Sequence, residues 1–125
     1  MISRRTFLAT AAVAQGQSKT LVVDAHCHAG RGTGMSAPWT TRADVEVTLR
    51  HMAEAGIDRT VIFPINNTDY GKPNQEIAEI CGKYPGKFFG FAKHDPQTEA
   101  GKIRGLLRKE VEGLGLKGLK LHRLP

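Results

Sequence analysis

Four short apolar runs separated by stretches of helical periodicity restrict this chain more than any other feature. Leu21-Val22-Val23-Asp24 is apolar on both faces, as a strand buried in a parallel sheet must be. Thr60-Val61-Ile62-Phe63-Pro64-Ile65, Phe88 to Ala92 and Leu116 to His122 read as three more strands. Between them, Val45, Leu49, Met52 and Ala53 recur at helical spacing, with Thr41 and Asp44 forming a capping box before them and Gly56 ending the run. Asn74 is placed to cap a second helix with the stripe Ile77, Ile80, Cys81 and Tyr84, closed by Pro85-Gly86. Thr98 is placed to cap a third, carrying Ile103, Leu106, Leu107 and Val111. Strands alternating with helices imply right-handed crossovers and an α/β fold with a parallel sheet. No linker divides residues 21–125, so they read as one continuous module.

The 125 residues allow one domain. No apolar run approaches the ~18 to 20 residues that cross a bilayer. Lys+Arg outnumber Asp+Glu by 18 to 12, a formal charge of +6, but the basic residues are scattered. That pattern reads as solvated faces and not as a nucleic-acid groove. Cys27 and Cys81 form neither a disulfide framework nor a metal knuckle and read as core filling. At the N-terminus, Arg4-Arg5 precede a short apolar stretch and the small-residue site Ala12-Val13-Ala14. Residues 1–14 therefore read as a twin-arginine export signal and 15–20 as a spacer, which predicts a periplasmic or secreted protein. The alternative is a first amphipathic helix on a cytoplasmic protein.

The candidate chemistry sits where the first strand ends. With side chains alternating along a strand, Asp24, His26 and His28 are expected on one face and Ala25 and Cys27 on the other. Parallel α/β folds bind ligands at that end of their strands, and neutral imidazole is a good ligand for zinc and similar ions. His26 and His28 are the metal-ligand candidates, with Asp24 expected to orient the site by hydrogen bonding. Lys93 and His94 follow the third strand, and Lys120 and His122 share a face of the fourth. His94, Lys120 and His122 are the candidates for contacting a small-molecule substrate at the same mouth.

Val22-Val23-Asp24-Ala25-His26-Cys27-His28, the Gly56 to Pro64 passage, Phe89-Gly90-Phe91-Ala92 and Gly115-Leu116-Lys117-Gly118-Leu119-Lys120-Leu121-His122 occur in an order that resembles the amidohydrolase-related (amidohydrolase 2) family. The resemblance implies a metal-dependent (β/α)₈ barrel of the TIM type. It also implies one divalent ion, commonly zinc, held by His26 and His28 together with a histidine and an aspartate from later strands. Such barrels run to ~250 residues, so residues 21–125 read as the N-terminal half, about four strands of eight. The general base would lie in the other half, and little or no turnover is expected of this chain by itself. The implied activity is hydrolysis of an ester, lactone or amide by metal-activated water, with decarboxylation as the alternative chemistry of the same family.

Two other readings compete. Gly30-Arg31-Gly32-Thr33-Gly34 is one position off a dinucleotide-binding fingerprint, with no helix expected to start there, and is rejected as one. A small open flavodoxin-like binding module would need neither histidine. A half-barrel that pairs with its own copy or another chain is a further possibility, since its edge strands would otherwise stand open.

Overall fold

A computed structural model describes residues 19–32 and 42–121. The expected leader at 1–14, Thr41 of the expected capping box and His122 lie outside them. The element order is β1 (Val23–Arg31), β2 (Arg42–Ala43), α1 (Val45–Ala55), β3 (Arg59–Pro64), α2 (Gly71–Lys83), β4 (Phe88–His94), α3 (Ile103–Leu114) and β5 (Gly118–Leu121). Among the described residues, no helix is long and apolar enough to cross a membrane.

The sheet runs β2-β1-β3-β4-β5. β1, β3, β4 and β5 pair in parallel, and β2 adds a two-residue antiparallel edge through Gly30↔Ala43 and Arg31↔Arg42. The parallel strands follow one another without reversal. Equal-handed crossovers then put every helix on the same side of the sheet, whereas a flavodoxin-like module needs the strand order to turn back on itself. The packing agrees: Val45 and Met52 of α1 and Ile77 of α2 share one buried cluster with Ala29, Ile62, Phe88 and Ala92 of the strands and with Leu116. The fold is the mixed α/β arrangement of a partial TIM-type barrel.

Helix ends follow local chemistry, though not always at the residues expected. Gly56 closes α1 at φ 69°, and the Ile57 N–H donates to Met52 O at 2.8 Å, the left-handed turn that favours glycine. At the other end Asp44 itself is the cap residue, and its carboxylate is engaged by Arg42 and not by the helix. α2 begins at Gly71, so Asn74 lies inside the helix; Asp69 Oδ1 accepts the Gly71 N–H at 2.7 Å instead. α3 begins at Ile103, well past Thr98, because residues after β4 first make turns through Glu99 N–H to Asp95 O and Lys102 N–H to Glu99 O. Gly90 lets this helical layer approach β4 closely. A Cβ there would stand 2.8 Å from Leu116 Cδ2 and 2.9 Å from Cys81 Sγ.

Candidate metal and anion site

The first strand is irregular where the chemistry lies. Val23↔Arg59 and Asp24↔Thr60 are in register, but pairing resumes at Cys27↔Ile62 and His28↔Phe63. Three steps along β1 thus match two along β3. This is a β-bulge, which re-aims the side chains beyond it. Its consequence corrects the simple alternation: Asp24 shares a register position with Thr60, on the helix-facing side with Ile62, while His26 and His28 come together on the open side. Asp24 Oδ1 accepts the backbone N–H of His26 at 3.0 Å, so it holds that histidine by its main chain. Cys27 points to the helices, its Sγ 4.0 Å from Thr48 Oγ1, and burial pushes its thiol up.

The two imidazoles meet edge-on with ring centroids 5.6 Å apart, and each meets the Phe63 ring edge-on, at 4.8 and 4.7 Å. His28 Nδ1 lies 3.1 Å from Pro64 O. A carbonyl can only accept, so Nδ1 carries the hydrogen and Nε2 keeps its lone pair. This backbone anchor is the one that metal-ligating histidines commonly use to fix their tautomer. Burial, opposed by the bond to Pro64 and reinforced by the charges of Lys93, His26 and Lys120, lowers the His28 pKa, which favours the neutral imidazole that a metal needs. The two imidazoles are the nitrogen donors that this face would offer a divalent ion. Among the described residues no group of three or more His, Cys, Asp or Glu is placed to hold one.

Two lysines complete this face. Lys93 of β4 is aligned with Lys120 of β5. Lys93 is 1% exposed, its Nζ donates to Asn66 Oδ1 at 2.6 Å and lies 5.6 Å from the Tyr70 ring centroid. Burial, and then the Lys120 charge, push the Lys93 pKa down to about 8. Lys120 Nζ stands 5.2 Å above the Phe63 ring, so Phe63 supports both histidines and this ammonium. A cleft of about 680 Å³ opens between the end of β1 and α2, lined by Arg31, Asn67, Lys72 and Glu76 among others, and none of His26, His28, Lys93 and Lys120 lines it.

His94, expected at the mouth, is one residue on from Lys93 and faces the helices. Its Nδ1 is 2.9 Å from Glu99 Oε2 and its Nε2 2.8 Å from Glu110 Oε2. Both ring nitrogens are thereby engaged, and His94 is not gathered with His26 and His28. Asn74 closes the same network: its amide donates to Lys93 O at 3.2 Å and to Glu110 Oε1 at 2.6 Å, and its Oδ1 accepts the Lys93 N–H at 2.9 Å. Sequence reasoning passed over Glu110 and the inward amide of Asn74, because polar residue types on a helix are read as solvated unless their phase on the apolar stripe is weighed. Burial of Lys93 was equally hidden. A polar residue at the inward phase of an apolar stripe was the one available signal.

No known family model matches the chain, and neither does any curated protein. Among solved structures, the 2,6-dihydroxybenzoate decarboxylase from Rhizobium superposes with a TM-score of 0.60 at 18% identity, covering 79% of this chain and 37% of that one. A 2,6-dihydroxybenzoate decarboxylase in complex with 2,6-dihydroxybenzoate superposes with a TM-score of 0.54 at 19% identity and the same coverage. The chain thus spans little more than a third of the length of these enzymes. At such identity the likeness concerns the fold: residues 19–32 and 42–121 form a partial barrel similar to part of a decarboxylase.

Proposed function

We propose that this chain carries the first-strand imidazole pair of a divalent-metal centre in an enzyme of the amidohydrolase-related kind, and that its chemistry is decarboxylation in preference to hydrolysis. The observation that carries the metal reading is the His28 Nδ1–H bond to Pro64 O, which leaves Nε2 of His28 available beside the His26 ring. The preference for decarboxylation is supported by the fold neighbours, both decarboxylases. A divalent ion held there would act as a Lewis acid and a charge sink for a bound oxygen anion. The chain's own part is to fix the two imidazoles on Phe63, set the His28 tautomer from Pro64 and keep a positively charged wall beside them.

The test is metal retention. The full chain, equilibrated with zinc, cobalt or manganese and dialysed, should keep close to one ion per chain, and His26→Ala with His28→Ala should weaken binding ~10- to 100-fold or more, as loss of site-orienting contacts already does. Equal retention by the double variant, or none by the parent, would overturn the metal reading. With the ion bound, tighter binding of hydroxybenzoates than of lactones and esters supports decarboxylation and the reverse order supports hydrolysis, a comparison that needs no turnover.

A further inference from the structure

We propose that Lys93 and Lys120 are a carboxylate-binding pair, with Lys93 the residue that selects an anionic over a neutral ligand at the mouth beside His26 and His28. The inference deepens the functional reading, resting on it only for the idea that this mouth receives a substrate. Lys93 is fully buried, and its side chain meets two neutral groups, the Asn66 amide oxygen and the Tyr70 ring. Lys120, its register partner, lies over another neutral ring, Phe63. Among the described residues neither lysine makes an ion pair with a carboxylate. An ammonium withdrawn from water without a counter-charge is costly, and folds normally supply a partner.

Acids are close by in the chain, but they are spent on the other face. Glu99 and Glu110 both turn to His94, the residue after Lys93, and that network lies among the helices. One strand position therefore separates an acidic side from a basic one. The basic side is also rigidly built. The β3–β4 ladder ends at Ile62↔Gly90, and beyond it the Asn74 amide takes up both backbone groups of Lys93, fixing the base of its side chain. Held cations beside an imidazole pair, with no protein anion to neutralise them, are the arrangement an incoming anion completes. Two ammonium groups offer one donor for each oxygen of a carboxylate.

The experiment is a titration of the metal-free full chain, in chelator, with benzoate, benzamide and inorganic phosphate, read by calorimetry and by amide chemical shifts. Benzoate should bind at least tenfold more tightly than benzamide or phosphate. Lys93→Met and Lys120→Met should each lower benzoate affinity tenfold or more without changing benzamide, and Lys93→Arg should restore part of the loss. Should Lys93→Met fail to fold by circular dichroism, Lys120→Met decides alone, since Lys120 is only partly buried. Equal binding of benzoate and benzamide, tighter binding of phosphate, or lysine variants that bind benzoate as the parent does would overturn the pair. A His26→Ala/His28→Ala chain should still bind benzoate, so failure of the metal centre and failure of the lysine pair are read separately.

Discussion

Asn74 makes three hydrogen bonds from one fully buried amide, two to the main chain of Lys93 and one to Glu110. Replacing it with alanine leaves a buried carboxylate oxygen and two backbone groups without these partners. The expected cost is at least ~3 kcal/mol, since each of three unsatisfied buried groups costs ~1 to 3, and it would appear as a lower urea midpoint with an unchanged slope. The residue illustrates a limit of reading single positions. Asparagine before an apolar stripe is a normal cap signal, and only the start of α2 at Gly71 shows that this one lies inside the helix facing the sheet. The meeting of His26 and His28 was legible because side chains two apart on a strand share a face, although both lie inside β1, which runs on to Arg31. Asp24 does hold the site by a hydrogen bond, as expected, through the His26 N–H; the face its side chain takes was not legible, since it depends on a bulge that exists only once β1 lies against β3.

At the level of elements, periodicity located all three helices and the four parallel strands, while their ends were less faithful. β2 was missed: two residues carry no period, and their pairing with Gly30 and Arg31 is a tertiary event. The docking of α3 rests on more than its apolar stripe, because His94 of β4 sits between Glu110 of that helix and Glu99 of the preceding turns. Removing the imidazole, as in His94→Leu, leaves Glu110 buried with only the Asn74 amide. A buried group left without its hydrogen-bond partner typically costs ~1 to 3 kcal/mol. Amide hydrogen exchange should show the loss of protection first across Ile103–Leu114, before β1 and β3 respond. Uniform loss of protection over the chain would show that the contact is not specific to α3.

Across the whole molecule, the unreversed order of the parallel strands puts the helices on one face and His26, His28, Lys93 and Lys120 on the other. That division makes a pH signature. The folded protein gives up the Lys93 proton near pH 8, whereas the unfolded chain keeps it to 10.5. Between these values the unfolded state binds more protons, so stability rises with pH. The contribution is absent below about pH 8 and complete above 10.5, with a slope of up to ~1.4 kcal/mol per pH unit. Chemical denaturation of the parent and of Lys93→Met at pH 7, 9 and 10.5 should show this rise as the difference between the two proteins. No difference in slope would mean that Lys93 is not held away from water.

The sequence by itself determined the four parallel strands and three helices among the described residues, and that two histidines stand together on one face of the first strand. These follow from local periodicity and from the handedness of crossovers, which neighbouring residues already encode. Tertiary structure alone decided the bulge that parts Asp24 from the histidines, the burial of Lys93 opposite Lys120, and the capture of His94 by Glu99 and Glu110. Each of these depends on which polar groups remain unpaired after strands and helices have packed, and residues such as His94 and Glu110, 16 apart, settle that only by meeting in space.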